Sequence, residues 1–197
     1  LVGGGGGYGS SGEYHSNAVS YGGTYGHASL SHLHGGSGGG AGYHAGGGAG
    51  GGAISLEADG NGTLTIETSG VISANGGNVA VTSVNGGGGG SGGSIRLAGK
   101  SITNNGTLRA KGATPPAGGT GGGGRVSFSY STNLEEGTVE VGTGAQQGTI
   151  GYNTPPEVSS ADTANITFSN LTYQKRSATK YNDLVAVSYT HLTLPTT

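Results

Sequence analysis

The chain has no cysteine, methionine or tryptophan, and only 9% of its 197 residues are charged. Without cysteine no disulfide framework can hold it, and that absence is compatible with any compartment. A formal net charge of −2 supplies no electrostatic case for nucleic acid or an anionic membrane surface as partner. No apolar run approaches the roughly 20 residues of a membrane-spanning helix. Aliphatic side chains are scarce too. Ile, Leu, Val and Phe together number 33, under the roughly 20% share at which an ordinary globular core becomes unexpected. The chain starts at Leu1 without a signal peptide, so it is expected to be an internal fragment.

What is abundant is glycine, with 48 residues. Two architectures remain: a disordered, silk-like glycine chain, or a repetitive fold that needs few apolar residues per unit length. Repeats favour the second. Gly51-Gly52-Ala53-Ile54-Ser55-Leu56 matches Gly92-Gly93-Ser94-Ile95-Arg96-Leu97 and then Gly123-Gly124-Arg125-Val126-Ser127-Phe128. A second series follows, Gly70-Val71-Ile72-Ser73-Ala74, Gly106-Thr107-Leu108-Arg109-Ala110 and Gly137-Thr138-Val139-Glu140-Val141. The offsets are 41 and 31 residues in the first series, 36 and 31 in the second, and an insertion around Glu57 to Leu64 accounts for the longer first unit.

Each segment alternates with period two and is bounded by Gly or Asn, which predicts strands and no helix. Alternation turns Ile54, Leu56, Ile72, Ile95, Leu97, Leu108, Val126, Phe128, Val139 and Val141 to one face. Ile66 and Ile102 mark a further strand whose counterpart in the last unit is not legible. Stacked copies bury what one strand cannot, so the expected fold is all-β, a parallel β-helix (solenoid) with units of about 31–41 residues and long glycine-rich loops on one flank. Those loops are either floppy or polyproline-II-like segments packed side by side. The expected organisation is a Gly/Tyr/His-rich loop or partial coil over 1–50 and β-solenoid repeats over 51–150. A Pro linker and the start of a truncated β domain follow over 151–187, with strands at Asn165–Phe168 and Leu184–Val187. Residues 188–197, SYTHLTLPTT, resemble adapter read-through of a metagenomic fragment and are set aside as artefactual.

Few residues suggest chemistry. Residues 89–101 end in Gly-Lys-Ser after a glycine cluster, close to a phosphate-binding loop. Such a loop has four residues between its first Gly and Gly-Lys-Ser; here Gly93 and Gly99 enclose five, and Ile95 and Leu97 alternate as in a strand. His27, His32 and His34 are the candidate metal ligands, since a strand would put His32 and His34 on one face. No Cys or nearby Asp completes the set, so solvated loop histidines are the expectation. Asp59-Gly60-Asn61-Gly62 resembles the start of a calcium loop, but the twelfth position is Gly70, so a turn is expected. The acids of the repeats, Glu57, Asp59, Glu67, Glu135, Glu136 and Glu140, form no facing pair of the kind glycoside hydrolysis requires. Register instead stacks Ser73, Arg109 and Glu140 outward, with an Arg109–Glu140 surface pair. Only Thr63 and Thr65 supply the Thr-x-Thr rank of an ice-binding face. Sequons stand at Asn61, Asn105, Asn165 and Asn170. The tyrosines of residues 8–43 either stack on sugars or anchor the glycine loop.

The succession GGGAGGGAISL, GTLTIETSGVISANGG, GGGGGSGGSIRL, GTLRAKGA and GGGGRVSFSY resembles the glycine-rich segments of very large, adhesin-like cell-surface proteins of bacteria, protists and plants. The resemblance covers about residues 3 to 150 and departs at the histidine-rich opening. It implies an extracellular or cell-surface, β-helical segment with a structural or adhesive role, no enzymatic activity, no catalytic residue and no cofactor. Partners on this reading are cell-surface polysaccharide or other copies of the parent protein. The alternatives are a carbohydrate-binding or polysaccharide-cleaving β-helix and the disordered glycine chain.

Overall fold

The computed structural model describes residues 2–15, 20–59, 61–79 and 85–154, all within the first of the two parts into which the chain divides, Leu1–Val158. The expected linker prolines, the strands near 166 and 184 and the tail lie outside the described residues. The described residues form ten strands: β1 (Ala53–Glu57), β2 (Thr63–Ile66), β3 (Val71–Ser73), β4 (Ser94–Ala98), β5 (Ser101–Asn104), β6 (Thr107–Arg109), β7 (Arg125–Ser129), β8 (Asn133–Glu135), β9 (Thr138–Glu140) and β10 (Thr149–Asn153). There is no α-helix among the described residues, only a 3-10 turn at Gly144–Gln146. The fold is all-β.

Every pairing is parallel, and the strands form three sheets ordered β1-β4-β7-β10, β2-β5-β8 and β3-β6-β9. The chain therefore visits the three sheets in turn and then repeats. Register places like over like: Ile54, Ile95, Val126 and Ile150 form one column, and Leu56, Leu97, Phe128 and Tyr152 a second. Rungs of parallel strands lie about 4.8 Å apart, so such columns close into continuous apolar contact.

Ile95, Leu97, Ile102, Leu108, Val126 and Phe128 are completely buried, and Ile66 and Val141 nearly so. Ile54, Ile72 and Val139 are half-buried against this cluster, as are Leu64, Leu134 and Ile150. Leu56 departs from the expectation of an inward residue. It is 38% exposed, because β1 is the end of its sheet and no strand among the described residues pairs with its far side. Ile66 and Ile102 both lie in second strands but at different positions: Leu64 pairs with Ile102, and Ile66 with Asn104. Asn104 is buried at the corner, where its Nδ2 donates to the Glu136 carbonyl and its Oδ1 accepts from the Gly106 N–H. The longer first unit has extra residues in both corners, 58–62 against 99–100 and 67–70 against 105–106. The counterpart of Ile102 in the third unit is Leu134.

The glycine segments are ordered, which answers the question left open by the sequence. In residues 86–93, all buried, successive N–H groups point to three different neighbours and return to the first every third residue. Gly88 and Ser91 donate to Gly40 and Ser37; Gly89 and Gly92 to Gly119 and Gly122; Gly90 and Gly93 to Gly77 and Ala74, at 2.7 to 3.0 Å. The carbonyls obey the same rule. Those of Gly86 and Gly89 accept from Gly3 and Gly6, those of Gly88 and Ser91 from Gly48 and Gly51, and that of Gly90 from Ala113. A three-residue rotation is the symmetry of polyproline II, which has no internal hydrogen bonds. Six neighbouring segments thus satisfy backbone groups that would otherwise be buried without partners.

Such packing leaves no room for a side chain at most of the glycines, while Ser91 fits because its Oγ accepts from the Ser37 N–H and donates to the Gly7 carbonyl. A Cβ on Gly90 would collide with the Ala49 carbonyl, whereas one on Gly46 would meet nothing within 4 Å. The bundle continues the strands directly. Residues 48–51, 86–93 and 119–124 lead into β1, β4 and β7, while 74–77 and 110–113 leave β3 and β6 in the opposite direction.

Candidate functional site

Three surfaces stand out, and the first two carry the residues that sequence reasoning singled out. The first is a strap, residues 24–36, crossing the outer face of the β4-β7-β10 sheet. Ser94 Oγ donates to the His34 carbonyl, and Ser127 Oγ and Asn153 Nδ2 to the Ser29 carbonyl. Small outward side chains on β4 and β7 let the strap lie flat, so Ser94 and Ser127 are fully buried although they face away from the core. Leu30, at φ 49°, is also buried.

At one end of the strap sits Arg125, buried without a carboxylate partner among the described residues. Its Nη2 donates to the Tyr25 carbonyl at 2.8 Å and its Nη1 to Thr149 Oγ1 at 2.7 Å. The guanidinium lies over the Tyr8 ring, 5.2 Å from the centroid, where the face of the π system attracts a cation. Tyr8 is itself completely buried and shares a 2.6 Å hydrogen bond with Ser94. One cation therefore joins the N-terminal glycine segment, the strap and β10. Sequence reading passed over Arg125; the available signal was a lone arginine in register with Ser94 and Thr149.

The candidate ligands His27, His32 and His34 belong to the strap and are exposed. His27 Nδ1 hydrogen-bonds Ser29 Oγ at 3.1 Å, His32 Nδ1 hydrogen-bonds Ser31 Oγ at 3.4 Å, and the His34 ring meets Tyr25 edge-on. Among the described residues no group of three His, Asp or Glu is placed to share a metal ion. The tyrosines divide: Tyr8 anchors, Tyr25 donates to the Gly35 carbonyl, and Tyr14, Tyr21 and Tyr43 are exposed. Tyr14 and Tyr21 pair edge to face at 4.4 Å, as do Tyr43 and His44 at 4.7 Å. Burial pushes the Tyr25 hydroxyl up from its ordinary range.

The second surface is a charged ladder. Ser73, Arg109 and Glu140 stand in register on β3, β6 and β9. Glu140 ion-pairs with Lys111 at 2.6 Å and Arg109 at 3.3 Å. The Lys111 ammonium, then the Arg109 charge, hold the Glu140 carboxyl below its ordinary range against a smaller desolvation effect. Glu57 pairs with Arg96 at 3.3 Å beside a shallow cleft of about 210 Å³ that also takes in Lys100, Ser129 and Ser131. At the end of the second column Tyr152 stacks on Phe128 and donates to Glu136 at 2.7 Å. Desolvation, helped by that carboxylate, pushes its hydroxyl up to about 12.

The third surface is a half-enclosed cleft of about 410 Å³ at the rim of the glycine bundle, lined by Lys111, Gly112, Thr114, Thr120, Gly121, Gly142, Thr143 and Gln146. Elsewhere, residues 94–98 of the phosphate-loop-like stretch are β4, an extended strand, and Asp59 closes a turn by accepting from Gly62. No helix among the described residues is long and apolar enough to cross a membrane. The chain matches no protein-family model, no curated protein and no solved structure.

Proposed function

We propose that the chain is a length of parallel β-helix serving as a non-catalytic structural or adhesive segment of a large extracellular surface protein. The observation that carries this reading is the cyclic strand order, three sheets visited in turn with identical register at every level. That arrangement grows along one axis by adding units, each resting on its neighbour. The glycine bundle supports the same role. Its stability comes from backbone contacts, and it presents the strap and the tyrosines on a rigid body. Polysaccharides or further copies of the parent protein are the partners this surface suits. Incubation with a polysaccharide panel is expected to release neither reducing ends nor unsaturated products; turnover of any member overturns the non-catalytic reading.

A carbohydrate-binding role is the second reading, favoured by the exposed Tyr14–Tyr21 pair. Aromatic faces stack on sugar rings. Retention on an immobilised polysaccharide that disappears in Tyr14→Ala and Tyr21→Ala would support it, and retention unaffected by both would reject it.

A further inference from the structure

The rim cleft is where the glycine bundle stops one level short. After β3 and β6 the chain makes long glycine excursions before re-entering the first sheet, but after β9 it turns back within residues 141–148, where Gly148 donates to the Val141 carbonyl. Register shows which groups this shortcut leaves unmet. Gly112 occupies the place of Gly76 one level on, by the pairing of Val71 with Thr107. The Gly76 N–H donates to the Lys111 carbonyl of the next level at 2.8 Å, whereas the Gly112 N–H has no partner among the described residues. Thr120 likewise occupies the place of Gly89, by the pairing of Ser94 with Arg125. The Gly89 N–H donates to the Gly119 carbonyl at 2.9 Å, whereas that of Thr120 has no partner among the described residues. Both unmet donors line the same cleft, together with the Thr143 turn that replaces the missing segments.

We infer that this cleft is a docking groove for an extended, glycine-rich segment of a second polypeptide, bound in polyproline II form as the next layer of the bundle. Its two backbone donors require carbonyl acceptors at the spacing that residues 111 and 119 supply one level below. Glycine is required where the occupant faces the layer below: in the layer already packed there, a Cβ on Gly118 or Gly121 would meet the Gly87 or Gly90 carbonyl. The occupant does not come from the C-terminal part of this sequence, which contains no glycine after Gly151. Gly112 and Thr120 are half-buried in the free protein, and docking exchanges water on their amides for backbone carbonyls, with no need of charge complementarity. The inference is independent of where the parent protein resides and of whether it binds polysaccharide.

The test uses the full chain and a synthetic peptide of residues 110–124, followed by amide NMR and hydrogen exchange. In the free protein the Gly112 and Thr120 amides are expected to exchange fast while those of Gly76 and Gly89 are protected. Saturating peptide should shift the first two resonances and slow their exchange by at least about tenfold. The same peptide with alanine in place of glycine should leave them unchanged. Thr143→Trp and Thr114→Arg, both at exposed positions, should fill the groove and abolish the response while the circular dichroism spectrum is retained. The inference is overturned by protection of Gly112 and Thr120 without peptide, by absence of a saturable shift, by equal binding of the alanine peptide, or by binding that survives both variants.

Discussion

At the scale of single residues, the tolerance of a glycine is set by what faces it. Gly90→Ala drives a methyl into the Ala49 carbonyl, a backbone atom that is itself held by hydrogen bonding to Gly77. The expected loss in chemical denaturation is at least about 3 kcal/mol, at the upper end of overpacking costs. Gly46→Ala, where the added carbon meets nothing within 4 Å, is expected to be neutral or to stabilise by about 0.5 kcal/mol through the unfolded chain. Equal losses at the two positions would refute the packed-backbone account of the bundle. Glu140 offers a titration. Its carboxyl is held below the ordinary value of 4.5 by Lys111 and Arg109, so the folded state favours the ionised form. That contribution is complete above about 4.5 and is lost as pH falls through the lowered value. Glu140→Gln is therefore expected to cost up to about 1 kcal/mol near neutrality, the ceiling for an exposed ion pair. The difference from the parent should vanish in acid, as measured by denaturation at both pH values.

At the scale of elements, position within a column decides the value of an otherwise identical side chain. Leu56 and Leu97 are register partners, yet Leu97 is fully buried and Leu56 is 38% exposed. Leu97→Ala is expected to cost about 2–5 kcal/mol as a core truncation, and Leu56→Ala about 1 kcal/mol or less. Comparable costs would mean that β1 is covered in solution. The strands were legible where alternation was strong: Ile54/Leu56, Ile95/Leu97 and Val126/Phe128 are register partners in the order the sequence suggested. They were illegible where a single apolar residue carried the strand, as with Leu134 in β8. β10 escaped notice because the shortened turn brings it 24 residues after β7, out of step with the 31-residue spacing, and because Gly151 interrupts its alternation. Within the glycine runs no phase can be read at all. A periodicity needs two kinds of residue, and the threefold rotation there is expressed only by backbone hydrogen bonds. The rim cleft was invisible for the same reason, since its defining groups are two amides.

At the scale of the whole molecule, two kinds of cohesion meet at Arg125: an apolar column between the sheets and a glycine-rich bundle beyond them, held by backbone contacts. Arg125 was not anticipated because an arginine after two glycines reads as a solvated strand end. Its removal leaves the part-buried Tyr25 carbonyl and Thr149 hydroxyl without their donor, at about 1 kcal/mol each, and forfeits the contact with the Tyr8 ring, about 1 kcal/mol more. Arg125→Ala is thus expected to lower stability by about 3 kcal/mol. It should also raise amide exchange in the strap while the β2-β5-β8 sheet remains protected. Uniform acceleration of exchange everywhere would show that the guanidinium has no local role. The backbone-held bundle has one more consequence, for digestion outside a cell. Endoproteases take hold of an extended main chain through its free amides and recognise the side chain next to the scissile bond. Here the extended main chain is abundant, but its amides are already engaged by neighbouring segments and hydrogen stands where a protease seeks a side chain. The first Lys or Arg in the sequence is Arg96, so trypsin finds no cleavable bond in the first ninety-five residues, folded or unfolded.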